Sequence, residues 1–372
     1  MLAVIIFIVI LSVLVMIHEF GHFIMAKRAG IGVEEFGFGL PPRIWGKKIS
    51  GTIYSVNWLP FGGFVRLVGE DPTDKRRQEK NSFYSKSIWE RTLVVVAGVF
   101  MNFALAVAVF YIVVIALGFK VNLPLIVEHK FKFVNETRQV LVGDVNDNSP
   151  AFSSGIKQGD SIIEINGVKI SSISDLQGIV RASEGKELSL TVENPVNNQL
   201  KNIKATPTYN EKLGVPALGI GLGELVVLNY DTPAQKVFSG FIHSYNTVDY
   251  SLDVMRQLVG FSIKNNDFTA VSQGVSGPVG IAKITQEAVA LGPISVLQLV
   301  GLLSLNLAFL NILPIPALDG GRFFFIIVEA VTRRKVHATF EKWVHTVGFV
   351  VLIGLILLVT YNDILKLINK QF

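Results

Sequence analysis

Four stretches of the chain contain no Asp, Glu, Lys or Arg: Met1–His18, Thr92–Phe119, Ala288–Leu318 and His345–Asn362. Each approaches or exceeds the roughly 20 apolar residues that cross a bilayer. They predict four membrane helices, the first from about Leu2 to Ala26 and closed by Lys27 and Arg28. Between the first two the period changes. Gly37-Phe38-Gly39 and Pro41-Pro42 precede the alternating Ile53-Tyr54-Ser55-Val56-Asn57-Trp58, and Gly62-Gly63-Phe64-Val65-Arg66-Leu67 follows. Period-two apolar positions between Gly and Pro predict short strands and turns. The segment is too apolar for a free loop and too interrupted for a spanning helix. Irregular backbone at membrane depth survives only against protein or a wet cavity, so a β-hairpin-like element dipping against the helices is expected.

Asp71–Lys80 reads as a charged linker. Beyond the second apolar stretch the pattern becomes that of a small α+β module. Val140–Val145 is a strand, Ser149-Pro150-Ala151 opens a short helix, and Gly155–Asp160 is a turn. Ser161–Ile165 is a strand, Asn166-Gly167 a hairpin turn, Ser174–Ala182 a helix and Glu187–Glu193 a strand. Further on, Thr232 is an N-cap, Pro233 takes the first helical position and Gln235 completes a capping box. From Val237 to Leu258 apolar residues then recur every three or four positions. Such a helix either packs on protein or lies on the outer leaflet, and periodicity does not choose between them.

The expected division is a first membrane helix at 1–27, a cytoplasmic or membrane-reentrant β-like region and linker at 28–91, and a second helix at 92–119. An extracytoplasmic module at 120–230 and an amphipathic connector at 231–287 follow. The third helix takes 288–321, a cytoplasmic connection 322–344 and the fourth helix 345–366. Charged residues make up only 17% of the chain, against about a quarter in soluble domains. A soluble cytosolic enzyme is excluded.

The net charge of +5 could suggest nucleic acid, but its distribution argues otherwise. Residues 27–91 hold twelve Lys/Arg against seven Asp/Glu, and 320–342 hold five against two, whereas 120–287 hold fifteen against seventeen. Short basic connections stay in the cytoplasm, which puts both termini and the central module outside it. No nucleic-acid partner is implied, and the bilayer itself is the expected partner. Cysteine is absent, which removes disulfides, thiolate metal sites and thiol nucleophiles.

The candidate chemistry sits in the first apolar stretch. His18-Glu19-Phe20-Gly21-His22 is an HExxH pattern. On a helix its two imidazoles share a face and can bind one zinc ion, with Glu19 as base for a metal-activated water. His18 lies about 25 Å along the helix, still inside a core roughly 30 Å thick. An ionisable group there costs at least about 2.5 kcal/mol, so three together call for a role such as metal binding. The alternative is two buried histidines and a glutamate satisfied by neighbouring helices. A third ligand is needed, and Asp319 ends the third uncharged stretch, after the helix-breaking Pro314 and Pro316 and before Gly320-Gly321. The alternative for Asp319 is to cap the next helix. His129, His243, His337 and His345 read as ordinary.

Together, HExxH in the first membrane helix, Asn311-x-x-Pro-x-Pro-x-Leu-Asp-Gly in the third and the module between them resemble the site-2 protease family. These are intramembrane zinc metalloproteases, and the likeness is to the bacterial regulator-of-sigma-E protease branch. Ser149–Gly167 resembles a PDZ domain. The resemblance implies a polytopic α-helical membrane protein with four transmembrane helices, a membrane-associated β-hairpin-like element and an inserted extracytoplasmic PDZ domain. It implies one zinc ion per chain, held by His18, His22 and Asp319, with Glu19 as catalytic base. Asn311, Asn306 and Gly37-Phe38-Gly39 would hold the substrate. Substrates would be single-span membrane proteins, such as trimmed anti-sigma factors or signal-peptide remnants, in a bacterial inner membrane. The PDZ module would admit peptide ends or exclude bulky ectodomains. That branch has two tandem PDZ modules and this chain one, so its substrate gating would differ. A catalytically inactive PDZ-containing membrane adaptor is the alternative, and it would be expected to show an eroded HExxH.

Overall fold

The computed structural model of the protein describes residues 2–71, 74–194, 199–211, 213–267 and 269–368. Pro72 and Thr73 of the charged linker lie outside the described residues. The chain forms two compact units, Met1–Val113 with Leu258–Phe372, and Val114–Gln257.

The first unit begins with α1 (Leu2–Arg28), β1 (Val33–Ile49) and β2 (Thr52–Leu67), followed by α2 (Ile88–Ala116). β1 and β2 pair antiparallel, yet the element is more than the expected hairpin. Both strands bend, at Pro41-Pro42 and around Pro60-Phe61-Gly62, so each contributes two segments to one sheet. Glu35–Phe38 lies between Ile53–Val56 on one side and Gly63–Arg66 on the other, while Arg43–Ile49 pairs with Thr52–Asn57. Buried Asn57 fastens the bend by donating to the carbonyls of Phe38 and Gly39 at 3.1 and 3.2 Å. The sheet follows α1 lengthwise. Ser12 Oγ donates to the Pro60 carbonyl (3.0 Å), and Lys27 Nζ donates to Thr52 Oγ1 (2.7 Å). Those two helix positions are about 22 Å apart at 1.5 Å per residue.

The second unit is built on β3 (Lys120–Leu125), β4 (Asn135–Val145), α3 (Pro150–Ser154), β5 (Ser161–Ile165), β6 (Val168–Lys169) and α4 (Ile173–Arg181). β7 (Leu188–Asn194), β8 (Gln199–Ala205), β9 (Thr208–Asn210), β10 (Val215–Ala217) and β11 (Ile220–Asn229) complete its strands. The main sheet runs β3-β11-β4-β5-β7-β8, with β6 paired to β5. Its core closes on Val140, Ile162, Ile165, Leu190 and Leu176, all buried. Ser149 caps α3, and Ser172 with Asp175 forms a capping box that starts α4 earlier than the apolar pattern indicated. α4 packs on β10 and β11. The capping box at Thr232 and Gln235 is present, but the helix it opens is short: α5 (Pro233–Val237) ends at Phe238, and α6 (Ser239–Asn265) continues.

Returning to the first unit, the chain forms α7 (Thr269–Gly274), α8 (Pro278–Leu291), α9 (Pro293–Ile312), α10 (Asp319–Thr332) and α11 (Ala338–Ile368). Among the described residues four helices, α1, α2, α9 and α11, are long and apolar enough to cross a membrane. The expected third helix at 288–321 is in fact divided. Gly292 separates α8 from α9, and the two prolines stop α9 before Asp319, which opens α10. The expected connection 322–344 is accordingly mostly helical. α10 is tied to α2 by a buried bidentate pair, Arg91 to Glu329 at 2.9 and 2.8 Å. At the far end of α11, buried Asp363 accepts from the backbone N–H groups of Gly277 and Gly280 (2.9 and 2.7 Å), docking the start of α8.

Candidate active site

His18 and His22 are one helical turn apart on α1, and both are buried. Their Nε2 atoms are 3.2 Å apart. The turn Leu313–Leu318 brings Asp319 against them, with Oδ2 at 2.9 Å from His18 Nε2 and 3.1 Å from His22 Nε2. Among the described residues this is the one set of His, Cys, Asp or Glu side chains converging in this way.

The arrangement is poorly satisfied by protein alone. His22 Nδ1 lies 2.8 Å from the Val94 carbonyl, which can only accept, so the Nδ1 proton is committed there. A neutral His22 then turns a bare Nε2 lone pair toward a carboxylate oxygen. Asp319 Oδ2 is itself buried with no hydrogen-bond partner among the described residues. The lone pairs of His22 Nε2 and Asp319 Oδ2, 3.1 Å apart, repel unless a cation lies between them. Tetrahedral zinc, with bonds of about 2.0–2.1 Å, sets its ligand atoms roughly 3.3 Å apart. The separations of 2.9–3.2 Å therefore suit that ion. The Val94 carbonyl is the orienting partner that a metal-bound imidazole commonly has.

Glu19 points elsewhere. Its Oε2 accepts from the backbone N–H of Val65 at 3.0 Å, in the segment of β2 nearest α1. Two cavities meet this group. One, of about 250 Å³, is lined by His18, Glu19, Asp319, Asn102, Leu307 and Asn311. The other, of about 220 Å³, includes Glu19, His22, Asp319, Val65, Glu70 and Arg322. Leu67, Glu70, Phe83, Ala317 and Arg322 also line a vestibule of about 640 Å³. An Arg322–Glu70 ion pair stands between the two spaces. In the vestibule wall Tyr84 donates to Glu341 (2.5 Å). Burial, and then the nearby Glu341 charge, hold the Tyr84 phenol well above its ordinary pKa, so it remains a donor.

Of the other residues singled out in the sequence, Asn311 reaches the cavity. Asn306 does not: it is exposed, and Leu307 is the α9 residue that lines the cavity beside Asn311. Gly37 and Phe38 lie one segment in from the Gly63–Arg66 edge, and neither they nor Gly39 line either cavity. Three partners escaped the sequence reading. Asn102 Nδ2 lies 3.4 Å from His18 Nδ1. Gly98 leaves the space the imidazoles fill, since a Cβ there would overlap His22 Nε2 and approach His18. His345, taken as ordinary, accepts from the Ala317 N–H at 3.0 Å. Ala317 has a positive φ of 75°, so this bond holds an unusual backbone turn two residues before Asp319.

The sequence profile of peptidase family M50 matches residues 6–355. The chain belongs to this family. It is an intramembrane zinc metalloendopeptidase of the site-2 type, a class at work in regulated intramembrane proteolysis. A Clostridium perfringens relative is 34% identical over 355 residues, 95% of this chain and 96% of its own. The Bacillus subtilis regulator of sigma-W protease RasP is 28% identical over 443 residues, 98% of both chains. Zinc metalloprotease RasP of Geobacillus kaustophilus is 28% identical over 436 residues, 97% of both. Among solved structures, the PDZ domain of an SdrC-like protein from Listeria monocytogenes aligns with 26% of this chain and 93% of its own, at 23% identity and a TM-score of 0.21.

Proposed function

We propose that His18, His22 and Asp319 hold the catalytic zinc ion, that Glu19 is the general base, and that the chain cleaves transmembrane segments of single-span proteins. The observation that carries this reading is the convergence of three donor atoms, with the His22 Nδ1 proton spent on Val94. Bound zinc supplies Lewis-acid polarisation of a carbonyl and a water of lowered pKa. Glu19 would accept a proton from a metal-activated water, and the Val65 N–H keeps its carboxylate in place. A substrate helix hides its amides in its own hydrogen bonds and must unwind. The Gly63–Arg66 segment has a partner on one side only, so an extended substrate can add there as a further strand. Asn311, in the same cavity as Glu19 and Asp319, can pair with the unwound backbone. Water reaches Glu19 through the vestibule past Arg322 and Glu70.

The basic connections support both termini facing outward, across a bacterial inner membrane. The β-rich unit is read as a PDZ module that filters ectodomains or takes peptide ends. The sigma-W regulator among the relatives supports trimmed anti-sigma factors as one substrate class. The test is metal analysis of detergent-purified protein beside cleavage of a single-span substrate. Glu19→Gln should keep its zinc and lose turnover by at least about 100-fold. His18→Ala, His22→Ala and Asp319→Asn should lose both. A Glu19→Gln variant that cleaved at the normal rate would overturn the assignment.

A further inference from the structure

Where α1 ends, its Lys27 and the Ile49–Thr52 turn of the sheet border a cavity of about 530 Å³. Five cationic side chains line it against two carboxylates, Glu34 and Glu35. Two of the cations are spent: Arg43 pairs with Glu35 at 2.6 Å, and Arg76 with Glu34 and Asp74. Three are not. Lys48 has no carboxylate partner among the described residues, and Lys27 meets the Thr52 hydroxyl and the face of the Phe23 ring but no carboxylate. Arg66 reaches Glu35 only at 3.9 Å while Arg43 holds that carboxylate. The cavity is thus short of negative charge, and its chemistry fits a phosphate group.

Position selects the source of that phosphate. Lys27 and Arg28 close an apolar membrane helix, so the cavity lies at the level of the headgroups. Trp45 (58% exposed) and Ile44 (61%) project from the same sheet beside it, with more than half of each uncovered. Indole and aliphatic side chains next to cations suit the boundary between headgroup and acyl chains. We propose that this cavity binds the headgroup of an anionic phospholipid, with Lys27, Lys48 and Arg66 on the phosphate. The site has a mechanical link to catalysis, because Arg66 follows Val65, whose N–H holds Glu19. A bound headgroup steadies the segment of β2 that positions the base.

The full-length protein in nanodiscs of phosphatidylcholine, alone or mixed with phosphatidylglycerol, provides the test. Lipid retention is read by mass spectrometry of the intact protein, and zinc content is checked in parallel. Phosphatidylglycerol should be retained over phosphatidylcholine. Lys27→Gln/Lys48→Gln should keep its zinc and its turnover in neutral discs, yet bind phosphatidylglycerol about 30-fold more weakly, at about fivefold per lysine near a charged surface. Retention unchanged in the double variant would overturn the proposal. So would complete displacement of the lipid by inorganic phosphate at equal concentration, which would make this a site for free phosphate. Because lipid binding is read apart from cleavage, the result stands independently of the zinc assignment.

Discussion

Gly98 illustrates how little room the donor cluster has. The backbone of α2 passes so close to α1 that a Cβ at Gly98 would overlap the His22 ring, and one at Gly21 would meet the Ala97 carbonyl. Gly98→Val should therefore push the imidazoles apart, at about 1–3 kcal/mol of overpacking. It should lose zinc while the purified protein stays folded, as metal analysis and circular dichroism would register. A second residue-scale expectation concerns pH. His243 lies 3.0 Å from the Tyr230 hydroxyl, and burial lowers its pKa to about 4. The folded protein keeps this imidazole neutral, whereas the unfolded chain takes a proton near pH 6.5. The unfolded state thus binds more protons between those values, and stability is complete above pH 6.5 and lost as pH falls toward 4. The loss approaches about 3 kcal/mol at most. The fall in thermal midpoint of the wild type from pH 7 to 5 should be smaller in His243→Phe.

At the scale of elements, α11 supports a turn it does not itself contain. Gly348 lets it pack directly on Pro316, and His345 accepts the Ala317 N–H. Both contacts bear on the backbone that aims Asp319. His345→Ala should weaken zinc retention against a chelator by about 10–100-fold, the usual effect of losing a partner just behind a ligand. His345→Asn, which retains an acceptor, should recover part of it. α10 depends on a different anchor. Arg91 and Glu329 are buried as a bidentate pair, so Arg91→Met strands a carboxylate and should cost about 3–5 kcal/mol. Adding Glu329→Leu removes the stranded charge and should restore most of the lost thermal midpoint.

At the scale of the whole chain, the charge distribution makes a topological prediction. Reporters inserted near Lys75 and Lys335 should be cytoplasmic, and those near Lys169 and beyond Leu367 should be outside. One reversed pair would refute the four-span arrangement. The β-rich unit has its own hydrophobic core, so removing roughly 140–206 should leave the zinc site intact. If that unit filters substrates by ectodomain size, the deletion variant will cleave untrimmed substrates. A zinc-loaded deletion variant that still refused them would rule the filter out.

The sequence alone determined what depends on local chain statistics. Uncharged runs gave the four long apolar helices, because a bilayer enforces length and composition over about 20 consecutive residues. The helical repeat put His18 and His22 on one face, and the Pro314-x-Pro316 break marked Asp319 as a residue turned out of the run. Even so, the third apolar run reads in sequence as one helix. Periodicity does not register where Gly292 and the prolines divide it, and Asp319 proved to open a separate helix. What tertiary structure decided was every contact made across chain distance. The Val94 carbonyl that fixes the His22 tautomer, the Val65 N–H that holds Glu19 and the His345 ring beneath the Asp319 turn lie 28 to 72 positions from their partners. Val94 and Val65 act through backbone groups, which leave no mark on residue type. The doubling of the sheet beside α1 was hidden for the same reason. An alternating pattern specifies a strand's two faces but not which segments become its neighbours.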